Sequence, residues 1–209
     1  GAPLAVEGLV AFFLESTFLG LWIFGWDRLP KKVHLATIWL AAIGTALSAY
    51  FILAANAFMQ HPVGFEINPV TNRAELTDFM QVLTQNTAYI AWLHTEASSF
   101  LMSGALVASV SAYLLMKNKS ADVARLTLKF GAITTLVAGL AVAVTGDMDS
   151  KIMVVQQPMK MAAAEALYET ESNAGFSIFT IGNLEGTEAT TEIKIPGLLS
   201  YLATGSFDS

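Results

Sequence analysis

The sequence predicts an all-α membrane protein: four transmembrane helices followed by a polar tail on the extracytoplasmic side. Three observations predict it. The 209 residues are 54% hydrophobic and only 13% charged, against about 25% charged in an ordinary soluble domain. Four stretches, 5–26, 35–57, 90–116 and 126–146, reach the roughly 20 mostly apolar residues that a bilayer crossing needs. The basic residues fall in alternate loops. A soluble bundle would need a charged face on every helix, and most faces here have none.

The chain opens on Gly1 rather than Met, and apolar sequence follows almost at once. With no basic region before it, this is not a secretory signal, and the chain is expected to be a piece of a longer one. The first span is followed by Arg28, Lys31 and Lys32; the second, 35–57, carries no charge. The long loop 58–89 has one basic residue, Arg73, and its segment 74–83 is expected to form a short helix. After the third span come Lys117, Lys119 and Arg125. By the positive-inside rule the two basic loops are cytoplasmic, and the 58–89 loop and the tail face outward. Small residues (Gly44, Ala46, Ser48; Gly104, Ala105, Ala108) suit close helix packing in lipid.

Residues 147–209 hold nine acidic and three basic side chains, whereas 1–146 hold eight of each. The chain therefore divides into a transmembrane region, 1–146, and a solvated extracytoplasmic segment, 147–209. In the latter, 159–170 reads as a short amphipathic helix after Pro158, 176–181 as a strand, and 193–202 as a second apolar stretch.

Composition excludes several functions. A net charge of −6 argues against a nucleic-acid partner, which calls for a basic patch. With no cysteine, disulfides, iron–sulfur clusters and thioether-linked haem are out within this chain. Three histidines are too few for a three-His copper site beside a haem.

Polar groups stand where lipid would be. Glu7 and Glu15 lie in the first span with eleven Val, Leu, Ile and Phe residues. Those favour insertion by about 0.3–0.6 kcal/mol each, roughly 5 in all, and two carboxyls at about 2.5–3.5 kcal/mol apiece cancel it. Neither carboxyl should face lipid; each needs protein, water, a proton or a metal. On an ideal helix they stand about 12 Å apart along the axis and about 80° apart around it. They either serve a buried centre and a path to it, or tie helices together as protonated carboxyls. Ser48 and Asn56, also eight residues apart, and Ser16 beside Glu15 suit a hydrated proton path or plain interhelical bonding. His94 sits near the start of the third span with Glu96 close by, and Ser98 and Met102 lie above it on the same face. Imidazole is the common axial ligand of haem iron. No second intramembrane histidine pairs with it, since His34 and His61 fall in loops. Lys160 and Glu165 in the tail helix lie about 140° apart around its axis, as surface charges or as two flanks of a polar head group.

The run GAPLAVEGLVAFFLESTFLGLWIFGWDRL (1–29) resembles subunit I of the cytochrome bd quinol oxidases. The likeness continues through SAYFILAANAFMQHPVG (48–64), WLHTEAS (92–98) and PMKMAAAEALYET (158–170), in the family's order and spacing. The resemblance implies a subunit with low-spin haem b, high-spin haem b and haem d. It implies oxidation of a quinol (ubiquinol or menaquinol) at the outer face. Dioxygen is then reduced to water with protons drawn from the cytoplasm. It also implies a smaller subunit II as partner and a bacterial cytoplasmic (inner) membrane location. His94 matches the axial ligand of the low-spin haem b. Glu7 matches the carboxylate at the high-spin haem iron, as ligand or close neighbour. Glu15 matches the buried carboxyl of the proton route, and Ser16, Ser48 and Asn56 its polar lining. Lys160 and Glu165 match quinol-binding residues of the periplasmic Q-loop, of which 147–209 would be a part.

The sequence departs from the family in lacking its first two helices, which bring a histidine ligand, and its later helices, which bring a Met ligand. Glu96 stands where an apolar residue is expected. This piece alone is not expected to turn over. The competing reading is a proton- or cation-translocating membrane protein without haem, for which intramembrane Glu7 and Glu15 are equally suited.

Overall fold

The structure, a computed structural model, describes residues 1–207. Four helices are long and apolar enough to cross a membrane: α1 (Ala2–Phe24), α2 (Lys31–Gln60), α4 (Asn86–Met116) and α5 (Ala121–Gln156). The last three cover their predicted spans and run beyond them at one or both ends, whereas α1 starts before 5 and stops at Phe24, two residues short of 26. The largest extension is in α5, which continues ten residues past 146 to Gln156. Hydropathy marks where a helix leaves lipid, not where its backbone stops, and nothing before Pro158 breaks the helical hydrogen bonding. Two compact units divide the chain, Gly1–Gly139 and a second from Leu140 onward.

In the first unit, α1 packs on α2 and α2 on α4. Most of the buried apolar residues are small, among them Ala11, Ala41, Ala54, Ala57 and Ala88, with Val82 and Ile90 the larger exceptions. Large apolar side chains point outward instead, with Leu9 at 78% and Phe24 at 76% exposure. That inversion suits a bundle whose solvent is hydrocarbon, where van der Waals contact through small residues draws helices together. At Gly44 an added Cβ would lie 2.9 Å from the backbone nitrogen of Glu15, so only glycine allows α1 and α2 to meet there. Likewise a Cβ on Gly131 would lie 2.7 Å from the nitrogen of Ala108. Ser111 and Thr127 link α4 to α5 through their hydroxyls at 2.7 Å.

The segment expected to be helical over 74–83 is divided. Arg73–Leu76 forms strand β2, antiparallel to β1 (Phe65–Asn68), with Phe65 opposite Leu76 and Asn68 opposite Arg73. The short helix α3 starts only at Phe79 and ends at Thr84. Asp78 sets its start by accepting from the Gln81 backbone N–H at 3.1 Å. The carbonyl of Gly64 takes the N–H groups of Thr77 and Asp78, which holds the chain extended up to that cap.

The second unit holds helix α6 (Pro158–Ala164), the hairpin β3–β4 (Phe176–Gly182 with Ala189–Ile195) and helix α7 (Leu198–Thr204). The expected helix over 159–170 ends early. Leu167 N–H bonds to the Ala162 carbonyl and Ala166 N–H to that of Ala163, with Ala166 at φ 53°. This is a Schellman termination with alanine in the place glycine usually takes. The strand expected over 176–181 is β3. The apolar stretch 193–202 is the end of β4 and most of α7. Pro196 and Gly197 separate the two, and at Gly197 (φ 68°) a Cβ would strike the side-chain oxygen of Asn173.

Candidate functional site

The first span is not a plain α-helix. Residues Glu7–Phe12 form a π-helical stretch, a form that concentrates at functional sites. Counted as one inserted residue, it cancels one 100° step, so the 80° expected between Glu7 and Glu15 falls to about 20°. Both positions then address α2. The Ser48 hydroxyl donates to Glu7 Oε1 at 2.6 Å. One turn away on α2, Gly44 lies against the backbone of Glu15. Glu7, Glu15 and Ser48 are all half-buried.

Ser48 is joined to Glu7, not to Glu15. Ser16 is exposed and donates to the Phe13 carbonyl of its own helix at 3.2 Å. Asn56 is exposed and its side-chain oxygen accepts from the Gln60 amide. Glu15 forms no side-chain hydrogen bond or ion pair among the described residues. The sequence holds no signal for the Glu7–Ser48 pair, because the π-helical turn that sets its register is silent in composition.

His94 is half-buried near the N-terminal end of α4. Ser98, one turn on, donates its hydroxyl to the His94 carbonyl at 2.8 Å. Two residues before His94, Trp92 donates from Nε1 to the Ala46 carbonyl of α2 at 3.0 Å. Its ring meets that of Tyr50 edge-on at 5.6 Å, and Tyr50 donates its hydroxyl to the Leu83 carbonyl. These contacts fix the rotation of α4 against α2 and so the direction of the His94 face. Among the described residues no group of three His, Cys, Asp or Glu side chains could hold a bare metal ion.

Elsewhere in the first unit, His34 is not a loop residue. It lies in the first turn of α2, half-buried. It sits 2.8 Å from the Trp22 carbonyl through Nε2, and because a carbonyl only accepts, Nε2 carries the proton.

In the second unit, Lys160 stands on the exposed side of α6, and Glu165 caps its C-terminus half-buried. The helix runs up to Glu165, whose N–H still bonds to the Met161 carbonyl at 3.0 Å, so the two positions keep about the 140° of a continuous helix. Burial pushes the Glu165 carboxyl above its ordinary range, and a hydrogen bond from the Ser177 backbone opposes that. The opposite face of α6, with Pro158, Met161 and Ala162, lines an open cavity of about 170 Å³ together with Leu167, Leu199 and Ser200. Ser177 and the cavity were not legible in the sequence, since a backbone donor from a strand twelve residues on leaves no local pattern.

The comparisons with known proteins agree with this architecture. The chain is 43% identical over 208 residues to the cytochrome bd ubiquinol oxidase subunit 1 of Bacillus subtilis (strain 168), covering 99% of this chain and 44% of that protein. It is 36% identical over 209 residues to the cytochrome bd-II ubiquinol oxidase subunit 1 of Escherichia coli (strain K12), covering 100% and 41%. The solved structure of bd oxidase from Geobacillus thermodenitrificans matches with a TM-score of 0.83 at 33% identity, covering 99% of this chain and 47% of that one. The chain thus spans less than half the length of the relatives it matches. The model of the family described as cytochrome bd terminal oxidase subunit I matches residues 1–209, and the chain belongs to that family.

Proposed function

We propose that this chain is part of the larger subunit of a respiratory quinol:oxygen oxidoreductase. In this reading the subunit oxidises ubiquinol or menaquinol at the outer face of a bacterial cytoplasmic membrane. It reduces dioxygen to water with protons taken from the cytoplasm, together with a smaller subunit II. The observation that carries the reading is the polar seam between α1 and α2 in a chain of this family. There Glu7 is bonded to Ser48 at 2.6 Å, and Glu15 lies one turn along against Gly44. Two glutamate positions set against one helix neighbour inside an apolar bundle are costly unless they serve chemistry.

The family implies haem, and the donor set suits it. A bare ion would need several side chains together, and among the described residues none are grouped. A porphyrin iron brings its own ring nitrogens and asks one axial ligand of a helix, which a lone His94 can give. Haem, when bound, supplies the one-electron and dioxygen chemistry. His94 would hold the low-spin haem b through its imidazole. Glu7 would stand at a high-spin iron, of haem b or haem d, as ligand or close neighbour, with the Ser48 hydroxyl fixing its carboxylate. Glu15 would hold and pass protons, with Ser16, Ser48 and Asn56 lining the approach. In the tail, Glu165 would accept a proton from the quinol hydroxyl and Lys160 would hold its oxygen.

Glu15 gives the test. In the full-length parent with its partner subunit, Glu15→Gln is expected to lower quinol-driven oxygen consumption by about 100-fold or more while haem content stays unchanged. Full turnover in Glu15→Gln would remove the proton-delivery role.

A further inference from the structure

At the basic-loop end of α1 and α2 lies a cavity of about 360 Å³ that the oxidase chemistry does not use. Trp22, Trp26, Leu29, Lys31, His34, Leu35 and Ile38 line it. Its floor is an aromatic cluster: the Trp26 and His34 rings lie 4.7 Å apart, and the Trp22 and His34 rings stack at 6.3 Å. The bond from His34 to the Trp22 carbonyl fixes that cluster. The outer wall is open, with Trp26 65% and Leu35 58% exposed. Lys31 lines the cavity, and Arg28 and Lys32 flank it in the chain. Asp27 is the one acid in this loop, and among the described residues Arg28, Lys31 and Lys32 form no ion pair.

We propose that this groove seats one anionic phospholipid of the leaflet that the loop faces. Its phosphate would lie against Lys31, with Arg28 and Lys32 beside it. Its first methylenes would run along Leu29, Leu35 and Ile38. Charge complementarity selects the occupant: Lys31 lines an apolar slot on a helix pair suited to lipid, and Arg28 and Lys32, which like it form no ion pair among the described residues, are close to it in the chain. Trp22 and Trp26 belong to the aromatic belt of such an interface, and basic pockets at helix ends are a known form of headgroup recognition. A zwitterionic lipid would bring a cation of its own to the same rim and gain less.

The inference does not rest on the oxidase reading, and its test needs no turnover. Full-length parent with its partner subunit is purified in detergent with added phosphatidylglycerol or phosphatidylcholine, and retained lipid is counted by native mass spectrometry. Wild type is expected to retain phosphatidylglycerol over phosphatidylcholine. Lys31→Gln with Lys32→Gln is expected to weaken that preference about fivefold per charge removed. Ile38→Trp fills the slot and keeps every cation, so it is expected to abolish the preference. Leu35→Trp fills the same slot from its exposed wall and serves if Ile38→Trp does not assemble. The proposal is overturned if wild type shows no preference, as it would if another part of the protein covers the groove. It is equally overturned if the slot-filling variants retain phosphatidylglycerol as wild type does, which would leave only the general field of a basic loop.

Discussion

The Glu165 carboxyl is held above its ordinary range by burial and pulled back by the Ser177 backbone. A group that accepts a proton from quinol must first be ionised, so activity is expected to rise with pH through the Glu165 titration. That limb should lie above the value of about 4.3 for a free glutamate. The sign for stability is opposite. Burial favours the protonated form, so the contribution of Glu165 to folding is present at low pH and is lost as the pH rises through its raised value. Glu165→Gln in the full-length enzyme is expected to erase the ascending limb and lower kcat by about 100- to 10,000-fold. A pH profile of quinol oxidation checks this; an unchanged limb would assign the titration to another group. The sequence marked Glu165 through a resemblance and its residue type. It marked the strand over 176–181 but not that the Ser177 N–H on it reaches Glu165, because a backbone N–H belongs to every residue alike.

The deciding element is the π-helical stretch Glu7–Phe12. One inserted residue turns the second carboxyl position of α1 onto the same neighbour as the first. Deleting Val10 is expected to restore an α-helical turn and rotate Glu7 by about 100° relative to Glu15. The Glu7–Ser48 bond would break and the high-spin haem signal would fall, with the low-spin signal kept; difference spectroscopy checks both. Intact high-spin signals in the deletion would show that the register does not matter. A helix that is apolar on all sides carries no phase in its sequence, so the π turn was illegible there. The four spans were legible because length and lipid solubility specify them. The β1–β2 hairpin was missed because its strands are four residues each and mostly exposed, too short to show alternation.

Across the whole molecule, the proposed sidedness rests on the alternation of basic and non-basic loops. Arg28, Lys31 and Lys32 and then Lys117, Lys119 and Arg125 fall on one side only if there are four spans, and four such helices are present. The chain has no cysteine, so single reporters can be placed freely in a full-length protein stripped of any others. Arg73→Cys and Glu188→Cys are expected to react with a membrane-impermeant maleimide in intact cells, and Lys119→Cys only after permeabilisation. Labelling of Lys119→Cys in intact cells would reverse the assigned sides.

The central claim is that this membrane bundle presents His94 to haem. The most direct test is a reduced-minus-oxidised visible spectrum of membranes expressing the full-length parent with its partner subunit, wild type beside His94→Ala. The account predicts b- and d-type bands in the wild type and selective loss of the low-spin b band in the variant. An assembled wild type without haem bands would contradict it and leave the intramembrane carboxyls to a proton- or cation-translocating protein.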